Sequence, residues 1–192
     1  METEKLDYDA YKHLQTQRSS TKWGFTKRYK DIQIRAEIEE ALFRDAATKK
    51  LDNIVCMGIR SGNEFFVFKK IIEAGNIIGA RVFGVDINEK VYEVDDDCYC
   101  FDFAHLPERW KDKFDLLYSN SLDHALDVDE TLKEWDRVVK KGGMMILRLS
   151  KAEPTAVDLH KFNEGDLERF KKIGEVDKYT EEESSFTIRI KK

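Results

Sequence analysis

The stretch NIVCMGIRSGNE, residues 53–64, places a short apolar run directly before a loop that contains Gly58 and Gly62. Arg60 stands between them, where a nucleotide-binding loop would carry a third glycine. When such a loop leaves a strand and opens a helix, backbone N–H groups and the helix dipole point at one place, which suits an anionic group of a ligand. The stretch therefore predicts the first strand, loop and helix of an α/β ligand-binding fold.

The composition restricts the class of protein. With 192 residues, 41% of them hydrophobic, the chain is the right size for a single globular unit. A net charge of -5 gives no overall field to attract nucleic acid or anionic lipid, and no apolar run approaches the roughly 20 residues that a membrane span needs. The three cysteines lack the spacing of a disulfide framework or a metal site. We expect a cytoplasmic protein without a metal or a membrane partner.

Short apolar strands alternate with amphipathic helices from residue 51 onward. This alternation predicts a Rossmann-like, doubly wound α/β sheet that is mostly parallel, with an antiparallel strand at the C-terminus. Helices are expected at 63–75, after Asp127, and after Asn163, with only one turn at 88–94. The predicted strands are 52–57, 80–86, 98–102, 113–120 and 144–150, then an antiparallel pair at 174–180 and 185–192.

Polar side chains follow three of these strands at the point where each strand ends. Asp86, expected at an exposed strand end, can accept hydrogen bonds from both hydroxyls of a ribose. Asp102 offers a carboxylate to an exocyclic amine, and Phe103 offers an apolar face to a purine ring. Asn120 and Ser121 end the next strand. Because the carboxyl ends of parallel strands lie at one edge of the sheet, these residues predict a nucleoside-binding site there.

Together the segments CMGIRSGNE, GVDIN and NSLDHA resemble the class I S-adenosylmethionine-dependent methyltransferases, in particular a type 11-like group with strand ends such as CLGxRxGxE, GIDLN and NSLDHA. The resemblance covers about residues 50–191 and implies S-adenosyl-L-methionine as the cofactor. Arg60 would pair with the methionine carboxylate, or else brace the loop, and Cys56 stands where many relatives have an acid. The implied cofactor-binding residues are Gly58, Arg60, Ser61, Gly62, Asp86, Ile87, Asp102, Phe103, Asn120 and Ser121.

Methyl transfer from a sulfonium is an in-line displacement that depends mainly on alignment, so a general base is optional. For a hydroxyl acceptor, His124 is the candidate base, with Asp123 to orient it. The alternative is that His124 only packs or hydrogen-bonds at the turn after the strand. Enzymes that methylate amines of nucleic acid bases usually carry prolines and an aromatic residue after this strand, and NSLD has neither.

The first fifty residues form a separate N-terminal helical arm in this interpretation, and residues 51–192 form the methyltransferase domain. A stripe at Ile34, Ile38, Ala41 and Leu42 has helical spacing, and residues 18–30 mix basic with aromatic side chains. The arm is either a solvated segment anchored by its aromatics or a lid over the substrate. Nucleic acid binding by the arm is the least favoured alternative on an acidic protein.

Three functions remain open. The favoured one is methyl transfer to a hydroxyl of a small molecule or glycan. The second is methylation of a macromolecule, either nucleic acid or protein. The third is a cofactor-binding protein without catalysis, or a nicotinamide enzyme on a related sheet, which is disfavoured because the loop is not a Gly-x-Gly-x-x-Gly turn.

Overall fold

The computed structural model describes residues 7–21, 51–74 and 79–192. In this part of the chain seven strands form one sheet in the order β3-β2-β1-β4-β5-β7-β6. Strands β1 to β5 are parallel, and β7 runs antiparallel to both β5 and β6. The predicted fold class is therefore confirmed. The strands are β1 (Asn53–Met57), β2 (Arg81–Asp86), β3 (Cys98–Cys100), β4 (Phe114–Ser119), β5 (Val139–Ser150), β6 (Glu175–Glu181) and β7 (Ser185–Lys191).

Helices cover both faces of the sheet, which explains why the central strands are apolar without alternation. On one face, Phe65 and Phe68 of the second helix pack into a core beside β1 and β2. On the other face, Leu132 and Trp135 of the third helix pack into a second core. The helices of the described residues are α1 (Tyr8–Thr21), α2 (Asn63–Glu73), α3 (Val128–Val138) and α4 (Leu167–Lys171). None of these described helices is long and apolar enough to cross a bilayer.

Two predicted boundaries are wrong. β3 ends at Cys100, two residues before the predicted end, because the chain leaves the ladder there and only the Phe101 N–H still donates to the Asp86 carbonyl, at 3.0 Å. β5 begins at Val139, directly after α3 and five residues before the predicted start at Met144, so the KKGG segment at 140–143 belongs to this strand. The pairing of β4 with β5 is irregular at this point, which accommodates the early start.

The other predicted strand bounds lie within one residue of those in the structure, and the predicted turn and caps agree with it. The segment after β2 forms one 3-10 turn, Glu89–Glu93, capped by the side chain of Asn88. Asp127 caps α3 by accepting hydrogen bonds from the backbone of Asp129 and Glu130, and Asn163 begins a capping box before α4. The predicted helical stripe at 34–42 and the basic aromatic segment at 22–30 lie outside the described residues.

Candidate functional site

The loop between β1 and α2 requires a glycine at its first position. Gly58 has a φ of +74°, and a Cβ on it would lie 2.6 Å from both Cβ and Oγ of Ser121. Its N–H donates to the carbonyl of Val85, at 2.8 Å, which ties the loop to the end of β2. Arg60 follows with a φ of +47°, an uncommon conformation for a residue with a side chain. The loop is thus folded tightly against two neighbouring strand ends.

Asp86 at the end of β2 is buried, with 5% of its surface exposed, and so the expectation of an exposed strand end is wrong. Its Oδ2 accepts a hydrogen bond from the Arg60 N–H at 2.8 Å, and its Oδ1 accepts one from the Asn88 N–H at 3.0 Å. Burial raises the pKa of this carboxyl, although the two backbone hydrogen bonds work in the opposite direction. A carboxylate has about four lone-pair sites, so each oxygen retains capacity for a ligand.

A cavity lies at the carboxyl edge of the sheet, between the strand ends and α1. Its volume is about 40 Å³, far below the roughly 300–1,000 Å³ of pockets that hold a drug-sized ligand. The α1 helix fills the space above the strand ends. The cavity is lined by Tyr11, Gln15, Arg18, Ser19, Gly58, Arg60, Asp86, Ile87, Asp102, Phe103, Ser121 and His124.

Most of the predicted site residues line this cavity, but four do not. Ser61 and Gly62 lie further along the loop, where Gly62 packs against Val94 and Phe66 rather than facing the cavity. Asn120 lies behind Ser121, whose hydroxyl donates to it at 3.0 Å. Asp123 is the fourth predicted residue that does not line the cavity.

Asp102 and Phe103 lie together, as predicted from the end of the third strand. Asp102 accepts a hydrogen bond from the Ala104 N–H at 2.9 Å. Burial, followed by the charge of Asp102 and a hydrogen bond to it, raises the pKa of Tyr8 on α1 to about 12. The Phe103 ring packs against Trp135, whose indole N–H donates to the Phe103 carbonyl at 3.0 Å. These contacts hold both side chains at the cavity wall.

His124 lies between two carboxylates, and the nearer one is that of Asp158 rather than that of the predicted Asp123. His124 Nδ1 lies 2.8 Å from Oδ1 of Asp158, whereas His124 Nε2 lies 3.9 Å from Oδ1 of Asp123. Asp123 and His124 are neighbours in one 3-10 turn, and the Asp123 carboxylate faces the other ring nitrogen. The loop after β5 brings Asp158 to the ring, and the His160 N–H anchors this loop by donating to the Asp123 carbonyl at 3.1 Å.

Arg18 of α1 completes this group of charges. Its guanidinium pairs with Asp158, and Nη1 lies 3.1 Å from His124 Nδ1. Burial raises the pKa of Asp158, but the hydrogen bond from Arg18 and the nearby positive charges outweigh it, so the pKa is lowered overall. Burial raises the pKa of Asp123. The donor atoms of Asp123, His124 and Asp158 lie within 4.8 Å of one another, and Arg18 provides a positive charge beside them.

The contribution of α1 is the part of the site that the sequence interpretation missed. Tyr11, Gln15 and Ser19 are buried at positions i, i+4 and i+8, which place them on one face of the helix. The face is polar apart from Tyr11, so no apolar stripe marked it. The spacing of one tyrosine with small polar residues is the signal that could have identified it.

Residues 55–147 match the model of a family described as the methyltransferase domain. No curated protein matches the chain by sequence.

Similar solved structures share the fold. The Burkholderia thailandensis 1,6-didemethyltoxoflavin-N1-methyltransferase, solved with 1,6-didemethyltoxoflavin and S-adenosylhomocysteine, is 10% identical with a TM-score of 0.71, over 100% of this chain and 93% of that chain. The PH0226 protein from Pyrococcus horikoshii OT3 is 16% identical to this chain, with a TM-score of 0.63. The match covers 87% of this chain and 92% of that chain. The CMeT domain of the citrinin polyketide synthase is 10% identical with a TM-score of 0.59, over 72% of this chain and 46% of that chain, so this chain spans less than half of it.

Proposed function

Since residues 55–147 belong to the class I S-adenosylmethionine-dependent methyltransferase family, we propose that the protein transfers a methyl group from S-adenosyl-L-methionine to a hydroxyl of a small molecule or glycan. The cofactor supplies an electrophilic methyl group on a sulfonium. The single observation that supports a hydroxyl acceptor is His124 at the cavity wall, with the Asp158 carboxylate 2.8 Å from its Nδ1.

The donor set at the carboxyl edge fits this cofactor. Asp86 has two carboxylate oxygens with spare capacity in a buried position, which suits a ribose diol. Phe103 and Ile87 offer apolar surface, and Asp102 offers an acceptor for an amine. Arg60 is close enough to Asp86 that its charge lowers the pKa of that carboxyl, and it is the candidate partner for the methionine carboxylate.

The oxygens beside Nδ1 determine what His124 can do, and these are Asp158 Oδ1 at 2.8 Å and the Val157 carbonyl oxygen at 3.1 Å. If Nδ1 donates its proton to Asp158, the neutral ring keeps Nε2 as a proton acceptor. Oδ1 of Asp123 lies 3.9 Å from Nε2, beyond hydrogen-bond distance. His124 could then take the proton of an acceptor hydroxyl held beside it, and the cofactor would supply the methyl group.

The size of the cavity supports a lid function for α1, defined as Tyr8–Thr21. A cavity of about 40 Å³ cannot contain the cofactor, so α1 has to move outward to admit it and can then return over a bound acceptor. Gln15 and Arg18 face the loop after β5 through Val157 and Asp158. A lid held by these contacts would exclude water from the methyl transfer.

Ligand-induced stabilisation tests the cofactor. At 100 times its dissociation constant, S-adenosylhomocysteine should stabilise the protein by about 2.7 kcal/mol. For a chain of this size that corresponds to a rise in melting temperature of about 5–10 °C. S-adenosylmethionine should also raise it, whereas NAD and NADP should not. A larger shift with a nicotinamide cofactor than with either sulfur compound would contradict the proposal.

The attachment of α1 provides a second test. Asn88 Nδ2 lies 2.7 Å from the Ser19 hydroxyl and 2.8 Å from the Ser20 hydroxyl, and these contacts hold the helix against the end of β2. Replacing both serines with Ala removes the contacts without lowering helix propensity. If α1 has to open for the cofactor, the double variant should bind S-adenosylhomocysteine about 5- to 30-fold more tightly in a calorimetric titration.

The exposed Gln17 on the same helix gives a matched control, because Gln17→Ala should leave the affinity unchanged. Equal affinities for wild type and the double serine variant would mean that α1 does not compete with the cofactor, and the lid would be rejected.

A further inference from the structure

Glu64 is a buried acid that neither the predicted site nor the cavity includes. Among the described residues, Glu64 and Asp86 are the two acidic residues with almost no exposure, at 8% and 5%. Glu64 is the second residue of α2, directly after the loop that contains Gly58. Burial of a carboxylate is costly unless hydrogen bonds or opposite charges compensate it, so the groups around Glu64 indicate its role.

The Glu64 carboxylate is connected to the cavity wall by hydrogen bonds. Its Oε1 accepts from Asn120 Nδ2 at 2.6 Å, and Asn120 Oδ1 accepts from the Ser121 hydroxyl at 3.0 Å. The same hydroxyl lies 3.4 Å from the carbonyl oxygen of Gly58. The acid therefore stands where the glycine loop meets the end of β4, on the side of α2.

The end of β1 has no carboxylate of its own, because Cys56 occupies the position before Met57. The pKa of the fully buried Cys56 thiol is raised, first by burial and then by the negative charge of Glu64. The thiol is thus neutral, and the charge of Glu64 is felt at this strand. Glu64, in the first turn of α2, thus supplies a negative charge near β1, which has no acidic residue at its end. The helix dipole favours a carboxylate at this position.

The amino-acid end of S-adenosylmethionine carries a carboxylate and an α-ammonium group. Asp86 suits the ribose and Arg60 suits the carboxylate, so the ammonium group still requires an acceptor. We propose that Glu64 binds the α-ammonium group of the cofactor and that Asn120 holds the Glu64 carboxylate in place for this contact. This inference rests on the proposed function, since it assigns a further residue to the same cofactor.

The test compares two ligands by calorimetric titration. One is S-adenosylhomocysteine, and the other is its des-amino analogue, which keeps the adenine, the ribose and the carboxylate. Glu64→Gln preserves an oxygen that can accept from Asn120 but removes the charge, so we expect about a 10- to 150-fold loss of affinity for S-adenosylhomocysteine. Wild type and Glu64→Gln should bind the des-amino analogue equally.

Glu73 at the exposed end of the same helix is the matched control, since Glu73→Gln should change neither affinity. An equal loss for both ligands in Glu64→Gln, or no loss for either, would overturn the role of Glu64 while leaving the cofactor assignment intact. If wild type binds neither ligand, the proposed function fails, and the role of Glu64 fails with it.

Discussion

Replacing Asp86 with Ala should weaken the binding of S-adenosylmethionine about 30-fold to 1000-fold. The reason is the loss of two charge-assisted hydrogen bonds from the ribose diol, with a total of about 2–4 kcal/mol. Because Asp86 also accepts from the backbone of Arg60 and Asn88, the variant leaves two N–H groups without this acceptor and should melt at a lower temperature. The affinity is therefore measured by calorimetric titration below that temperature.

The alternative is that Asp86 only organises the turn after β2, since its carboxylate already accepts from the Asn88 N–H. A ligand that lacks one hydroxyl separates the two roles. The 2′-deoxy analogue of S-adenosylhomocysteine has already lost one of the two bonds, so Asp86→Ala should reduce its affinity by a smaller factor. A lowered melting temperature with unchanged dissociation constants for both ligands would restrict Asp86 to the turn.

The affinity should also depend on pH through this residue. Burial raises the pKa of Asp86, so its carboxylate takes up a proton at a higher pH than an ordinary aspartate does. Protonation removes a charged acceptor, and the affinity of wild type should fall as the pH falls through this raised pKa. Asp86→Ala should lack this part of the pH dependence when the same titration is repeated in acidic buffers.

The sheet and most of the strand boundaries could be predicted from the sequence because they follow from local patterns. The first strand is an apolar run bounded by a glycine turn, and Gly58 is required there by the contact with Ser121. The exceptions are two strand boundaries that depend on backbone pairing with a neighbouring strand. β3 ends at Cys100, and β5 starts at Val139, because of partners on other strands that no window of sequence includes.

The environment of His124 could not be predicted, because it depends on segments far apart in the chain. Asp158 reaches the ring from the loop after β5, and Arg18 reaches it from α1. Both are ordinary surface residues by type, and neither lies in a recognisable pattern. Sequence proximity favoured Asp123, which lies 3.9 Å from Nε2, but it gave no sign of the closer Asp158. The burial of Glu64 was hidden in the same way, since an acid in the first turn of a helix usually faces solvent.

Replacing His124 with Asn should lower the rate of methyl transfer by about 10² to 10⁴, with the affinity for S-adenosylhomocysteine nearly unchanged. The reason is the loss of the group that takes the proton from the acceptor hydroxyl. The measurement is the turnover rate at saturating cofactor, with the dissociation constant of S-adenosylhomocysteine determined in parallel. A parallel loss of cofactor affinity would make His124 a cofactor contact, and an unchanged rate would make it structural.

Variants of Asp158 and Asp123 test which of the two neighbouring carboxylates orients His124. Asp158→Asn removes the charge that faces His124 Nδ1 at 2.8 Å, and it should lower the rate by about 10-fold to 100-fold. It also breaks the ion pair with Arg18, so cofactor affinity is measured in parallel. Asp123→Asn should have a much smaller effect, because its carboxylate lies 3.9 Å from Nε2. The reverse order of effects would mean that the ring turns toward Asp123 when the acceptor binds, and that Asp158 serves mainly to hold α1.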